Sequence, residues 1–561
     1  MKKLNFDFKN LNWKKIIISA LIAAAASFLV YYIFLPPINP HSVGFWAYLT
    51  FVIFAFSVPY LGISLDKGAF VFITKGDGKF EKKSIGGIKF VKKLNKITLI
   101  IIALPIVIAI IGGIFSSTLF FAKSYASVID VDDTVVFEED MPETTDDFTY
   151  IALMDTESAQ MLGNRELGEL SSNVSQYTLS GYYTQINYRG LPKKVSNLEY
   201  DGFFKWLLNN KTGIPGAVIV DPVNPDAAYL EFAEPMLYAE SAFFGQDLER
   251  KLRFDYPTKI FNSISFEIDD QGNPYYIVSC ATARVSLFGA MDINEVIVFD
   301  PTSGKSELYK VEDTPSWIDI VYTGELVCEK YNWYGTLSGG FINSIIGNKG
   351  CKQTTDDFGY IALEDDVWYF TGVTSVTGDD MSNIGFILSN ARTGEYKFYS
   401  VIGAEEHSAM NAAQGEVQEK GYVASFPSLV NVSGEATYIM VLKDATGIVK
   451  LYALVNVENY GIVATGTSQA AAMSEYKKLL NQNGVTSGTD ESYDITVTEI
   501  IYPGENNVYI KADNGCVYKG YISSDESLVL ISAGDKITVK VSATANEKIF
   551  NISSWEYTVN P

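Results

Sequence analysis

The chain is short of the residues that most often do chemistry. Its 561 residues include two histidines, His41 and His407. Neither has partners at zinc-ligand spacing, which argues against a His-based metal centre, and both read as plain surface residues. The four cysteines, Cys280, Cys328, Cys351 and Cys516, are widely spaced and form no CxxC pair. That excludes a thioredoxin-like motif, a zinc ribbon and a disulfide-dense scaffold. Cys280 and Cys516 fall in strand patterns and read as buried thiols, while Cys328 with Cys351 is the pair to test for a disulfide. There is no Gly-x-Ser-x-Gly elbow. Gly76-Asp77-Gly78-Lys79 lacks both the spacing of a phosphate loop and the Ser or Thr after the Lys. Ser474 and Lys477 stand three apart and could form a Ser–Lys pair, but Lys477 near a helix C-terminus is already favoured by the helix dipole. Carboxylates abound, and none is singled out as half of a glycosidase-like pair. No catalytic residue is named on these grounds, and no metal or cofactor is expected.

Positive charge is also scarce, with 43 Lys and Arg against 66 Asp and Glu. What there is gathers at one end. Residues 1–123 hold 15 Lys and 4 acids, whereas 124–561 hold 28 bases and 62 acids. The first part contains three uncharged apolar runs, 16–35, 45–64 and 97–122. A bilayer span needs about 20 such residues, so all three read as transmembrane helices. The N-terminus and the 65–96 loop are rich in Lys and the 36–44 loop has none, which places the first two in the cytoplasm and everything after Lys123 outside. The first run ends in Leu35-Pro36-Pro37 without a small-x-small cleavage site, so it reads as an uncleaved span. Ser19, Ala23 and Ser27 put small side chains on one of its faces, either for close helix packing or by the chance of an Ala-rich helix. The inner loop carries a hairpin pattern about Gly76-Asp77-Gly78, then a basic amphipathic segment, Ile85–Leu94, suited to an anionic inner leaflet.

Residues 130–147 hold nine acids and no base, and read as a solvated linker. Beyond it strands dominate. Thr144–Leu153 recurs as Thr354–Leu363 with nine of ten positions identical, the mark of a duplication. Four strands run into turns at Asp221, Asp300, Asn390 and Asp444, three of them closed by Gly304, Gly394 and Gly447. A ligand rim is the functional reading of these four side chains; turn chemistry explains them all and is preferred. Helices are expected near 202–208, 405–419 and 468–480, the last capped by Thr467 or Ser468. The class is membrane-anchored α+β.

The strand–turn–strand of Asp444-Ala445-Thr446-Gly447 within 405–480 resembles PepSY-like modules of bacterial envelope proteins. The whole resembles uncharacterised Gram-positive envelope membrane proteins. Neither resemblance implies a site residue. After a polar linker, six short strand patterns from Ile495 to Tyr557, one of them Ser527–Ile531, resemble a small OB-type barrel. That would bind oligosaccharide or protein, or serve structure alone; nine acids against five bases from Asp494 to Pro561 would repel nucleic acid.

The expected organisation is a membrane domain 1–123, an acidic linker 124–147, α+β modules 148–350 and 351–480, a linker 481–494 and an OB-like β-barrel 495–561. The expected partners are the lipid bilayer and an envelope protein or cell-wall glycan. The first functional reading is a non-catalytic envelope interaction or scaffold protein. The second is an enzyme acting on cell-wall polymer, which a deep cleft with a close pair of buried carboxylates would favour. The third is an extracytoplasmic sensor.

Overall fold

The computed structural model describes residues 13–64, 88–144, 151–169, 175–355, 357–363, 365–376, 382–483, 485, 490–503, 507–522, 526–542 and 549–558. The expected hairpin around Gly76 and the middle of the first Thr-Thr-Asp-Asp copy lie outside these residues. Three helices at the N-terminal end are long and apolar enough to cross a membrane: α1 (Trp13–Phe34), α2 (Val43–Ser64) and α3 (Ile88–Phe115). The small face of α1 is used for packing. Ser19, Ala23 and Ser27 are buried, and Tyr48 of α2 donates to the Ser27 carbonyl at 3.1 Å.

The third apolar run does not continue as one helix to Ala122. It breaks after Phe115, where the Ser116 hydroxyl donates to the Gly112 carbonyl, and restarts as α4 (Thr118–Ala126). A serine bonded back to the preceding turn competes with straight helix. The acidic stretch after it is not a solvated linker either. Val131–Asp132 pairs with Tyr396–Lys397, Asp140 binds Lys397 and Tyr399, and Phe137 and Met141 are buried. The acids between these apolar residues hid a segment that packs as a strap.

Four antiparallel sheets follow. Sheet 1 has β1 (Tyr177–Leu179), β2 (Thr184–Tyr188), β3 (Leu191–Tyr200), β4 (Ile214–Asp221) and β5 (Asp226–Met236). Between β3 and β4 lies α6 (Phe203–Asn209), with α5 (Thr156–Glu169) ahead of the sheet and α7 (Leu248–Asp255) after it. Sheet 2 is the meander β6 (Ile260–Ile268), β7 (Pro274–Val285), β8 (Gly289–Phe299) and β9 (Ser306–Lys310), then α8 (Gly324–Leu337). Sheet 3 comprises β10 (Lys352–Thr354), β11 (Gly359–Leu363), β12 (Asp366–Ser375), β13 (Gly385–Asn390) and β14 (Tyr396–Tyr399). After α9 (Glu406–Glu416), sheet 4 has β15 (Val423–Ala424), β16 (Ser428–Val432), β17 (Glu435–Lys443), β18 (Val449–Asn456) and β19 (Val463–Gly466).

The pleat gives every sheet two apolar faces, and neighbours share them in chain order. Val195 and Leu198 of sheet 1 meet Tyr276 and Phe299 of sheet 2. The opposite face of sheet 2, Ile277 and Val296, meets Tyr369 and Ile387 of sheet 3 across α8. Phe370 and Phe386 then meet Tyr438 and Met440 of sheet 4. Residues 151–169 close the circle. Ile151 and Leu153 pack with sheet 4 and α10 (Gln469–Gln482), Met154 and Ala159 pack with Val218 and Val220 of sheet 1, and Asp155 pairs with Lys443. The result is a ring of four sheets stacked like the blades of a small propeller.

Beyond α10, capped by the Ser468 hydroxyl on Ala471 N, a closed five-stranded barrel has its own core. Its strands are β20 (Asp490–Ile501), β21 (Asn507–Ala512), β22 (Val517–Tyr521), β23 (Lys536–Ser542) and β24 (Ile549–Tyr557), in the order β20-β21-β22-β24-β23, with β22 and β24 parallel. The expected strand Ser527–Ile531 is instead a 3₁₀ turn, Glu526–Leu530. Leu528 and Ile531, three apart, both point into the barrel, a helical spacing that alternation could not satisfy.

Candidate functional site

The residues singled out in the sequence do not converge. His407 is exposed on α9, and Ser474 is exposed on α10 in the same helix as Lys477. All four cysteines are free, so Cys328 and Cys351 are not bridged. Burial pushes the Cys280 and Cys328 thiols up to about 12, the opposite of an activated nucleophile. Cys516 is half-buried beside the barrel core. Among the described residues no group of His, Cys, Asp or Glu is placed to hold a metal ion. The four turn residues do turn chemistry. Asp221 accepts from Val223 and Asn224 N–H, Asp300 from Thr302 and Ser303, Asn390 from Arg392 and Thr393, and Asp444 from Thr446 and Ile448.

His41 is not a free surface residue. Its Nδ1 lies 2.9 Å from the Leu287 carbonyl, at the tip of the β7–β8 hairpin. It belongs to a joint between the ring and the helix ends. Ile38 N–H donates to Pro257 and Asn39 Nδ2 to Thr258, while Ser116 Oγ accepts from both Leu287 and Phe288 N–H. Arg250 of α7 lies 4.4 Å over the Tyr32 ring, and Tyr125 of α4 meets Trp333 of α8 edge-on at 5.1 Å.

At this joint a cavity of about 730 Å³ opens between sheets 1, 2 and 3, with Phe34 and Leu35 from the end of α1 on its wall. Its lining is carboxylate and aromatic: Glu240, Asp247, Glu249 and Glu325 face it with Tyr182, Tyr183, Phe261, Phe358 and Tyr360, and the cation among them is Arg253. The elements explain the placement. Asp247 caps α7, accepting from Arg250 N–H at 2.8 Å, which turns the first helical residues toward the cavity. Glu240 sits in the loop between β5 and α7. Surrounding protein, and then the charges of Glu199, Glu249 and Asp247, raise its carboxyl to about 7. Glu199 is held in place by the Ser241 hydroxyl and N–H and by Asn197 Nδ2, which also reaches the Tyr276 hydroxyl at 3.2 Å. Glu240 can therefore exchange a proton near neutrality while open to the cavity, the property a general acid needs.

A second carboxylate pair lies behind the wall. Glu267 is fully buried and accepts from Asp319 and Ile320 N–H at 2.9 and 3.0 Å, and Asp319 accepts from Asn187 N–H. Burial raises both carboxyls. Lys194, buried 5.3 Å over the Tyr360 ring, is lowered to about 8 by burial. These groups brace three sheets at the ring centre and do not line the cavity. No sequence pattern pointed to Glu240; an acid before Ser241 in a loop has no distinguishing spacing.

No family model matches the chain, and no curated protein matches it. Among solved structures, an exo-β-1,3-galactanase from Clostridium thermocellum aligns over 66% of this chain and 70% of its own at 8% identity and a TM-score of 0.19. A Synechocystis apocarotenoid oxygenase aligns over 52% and 63% at 9% identity and 0.16. Likenesses this slight carry no inference about fold or function.

Proposed function

We propose that the protein is a membrane-anchored, extracytoplasmic interaction protein of the cell envelope that holds its ligand in the cavity at the ring–helix joint. The observation that carries this reading is the joint itself. The β-region is fastened by hydrogen bonds to one shared end of three apolar helices, so the ring is held in fixed relation to its anchor. The Lys distribution supports an outside ring. The bonds of Ile38 and Asn39 to the ring agree with it, because they put the Lys-free α1–α2 loop on the ring's side. Gram-positive envelope membership, two modules at 148–350 and 351–480, and a PepSY-like unit at 405–480 belong to the same proposal. We also read the terminal barrel as OB-type, supported by its strand order and its parallel β22–β24 pair. Wall glycan or an envelope protein is its proposed partner. The test is cross-linking in intact cells followed by purification of the full chain. Recovery of one envelope protein or wall fragment, lost when Tyr182 and Tyr360 are changed to Ala, supports the reading; recovery of neither sinks it.

Glu240 favours a second reading, an enzyme acting on cell-wall polymer. The protonated carboxyl would donate to a leaving oxygen, with Glu199 as its charged neighbour. Glu240→Gln should then abolish turnover of wall fragments while leaving the folded ring intact, and wild-type activity should fall as pH rises through about 7. A wild-type protein that releases no product from purified wall removes this reading.

A further inference from the structure

The ring reaches below the helix ends on both sides of the anchor. Phe254 at the end of α7 meets Tyr31 at 5.5 Å and Phe28 at 6.4 Å between ring centroids. Phe28 is six residues before the end of α1, about 9 Å down its axis at 1.5 Å per residue. On the other side, Leu287 at the β7–β8 tip lies against Gly112, three residues before the end of α3. Two apolar projections stand next to these contacts. One is α6 with Phe244, which comes from the loop before α7 and meets the Phe203 ring at 6.4 Å: Phe204 is 75% exposed, Leu208 78% and Phe244 57%. Arg250 ties it to the anchor, donating to the Phe244 carbonyl at 2.8 Å and to the Tyr32 carbonyl at 3.3 Å. The other follows α8, where Ile342 is 75% exposed, Ile345 61% and Ile346 81%. Their neighbour Phe341 packs against the α4 core of Ala122, Tyr125 and Ala126.

Charge separates α6 and the segment after α8 from the rest of the β-region. Residues 202–213 contain Lys205 and Lys211 and no acid, and residues 341–355 contain Lys349 and Lys352 and no acid, within a part of the chain that carries 62 acids against 28 bases. Apolar and aromatic side chains flanked by Lys, without carboxylates, are the composition of segments that lie at a bilayer interface. A soluble partner protein would not require both projections to sit at the outer ends of spanning helices.

We propose that the ring is seated in the outer leaflet through these two projections, so that lipid covers Phe204, Leu208 and Phe244 on one side of the anchor and Ile342, Ile345 and Ile346 on the other. The inference rests on the membrane-anchored reading above. It goes further in making part of the β-region itself a lipid-binding surface and in placing the mouth of the cavity, at Phe34, at headgroup depth.

The full chain reconstituted into phosphatidylcholine–phosphatidylglycerol vesicles, with a trace of phospholipid carrying a diazirine high on its acyl chain, tests this directly. After irradiation and digestion, lipid adducts are mapped by mass spectrometry. Adducts on 203–208 and 342–346 should exceed those on barrel residues 507–512 by about tenfold. A Leu208→Ser, Ile346→Ser double variant should lose them while keeping those on α1–α3. Adducts on the helices with none on either projection overturn the proposal and leave the anchor intact. Absence of adducts on the helices overturns the membrane reading instead.

Discussion

The most constrained single residues are the acids whose carboxyls burial raises. Glu267 and Asp319 meet although 52 positions separate them, because the chain after β9 returns to the inner edge of sheet 2. Nothing local in the sequence pairs them, and lying behind the cavity wall they are not the cleft pair that an enzyme reading called for. The turn acids are the contrast. Asp300 and Asp444 bond N–H groups two to four residues on, so their role is readable from neighbours alone. Because burial raises both carboxyls of the pair above the unfolded value, the folded ring binds their protons more tightly than the unfolded chain. That contribution to stability is fully present below about pH 4 and is lost as pH rises through the raised folded values, about 7 for Glu267. Glu199 and Glu406 are raised by burial as well and act in the same direction. Asp319→Asn keeps an oxygen for the Asn187 N–H and removes one charge. It should raise unfolding stability at pH 8 by on the order of 1–2 kcal/mol and change it little at pH 5. Thermal unfolding of the purified full chain at the two pH values measures this; an equal shift at both would show that charge is not the cause.

At the level of elements, periodicity was readable wherever one face is buried and the pattern is local. The expected helices at 202–208, 405–419 and 468–480 correspond to Phe203–Asn209, Glu406–Glu416 and Gln469–Gln482. The misses occur where a tertiary contact decides. The 97–122 run is uncharged and reads as one span despite its polar cluster Ser116-Ser117-Thr118; the run breaks there, where two ring N–H groups bond the Ser116 hydroxyl. It follows that Ser116 is a fastening point between helix and ring. Ser116→Ala would leave the N–H groups of Leu287 and Phe288 without that acceptor in a buried joint, at a cost of about 1–3 kcal/mol. Ser116→Thr, which keeps the hydroxyl, should lose less. The readout is the rate of protease cleavage at the β7–β8 hairpin tip in detergent. Equal rates for wild type and Ser116→Ala would show that the hydroxyl does not hold the joint.

For the whole molecule, the charge split between 1–123 and 124–561 was legible, and the ring was not. Ring closure depends on faces of sheets far apart in sequence and on 151–169, whose few apolar residues give no hint that they bridge the fourth sheet to the first. The proposed orientation draws on both kinds of observation. Holding the nine Lys between 65 and 96 inside is favoured because each Lys carried into a bilayer centre costs about 3 kcal/mol on insertion scales and cytoplasmic loops retain them. On the membrane-anchored reading proposed above the ring lies on the opposite side, since an odd number of candidate spans separates the N-terminus from it and the 36–42 loop is bonded to it. The half-buried Ser42 in that loop is a poor probe, so the linker is the better place for one. Ser487→Cys should react with an impermeant thiol reagent on intact cells and Ser84→Cys should react only after permeabilisation, with the native chain as the blank for its four free thiols. Labelling of Ser84→Cys in intact cells would put the Lys-rich loop outside and the ring, with its cavity and its projections, in the cytoplasm. The envelope reading would then fall, while the hydrogen-bonded joint between ring and helices would stand.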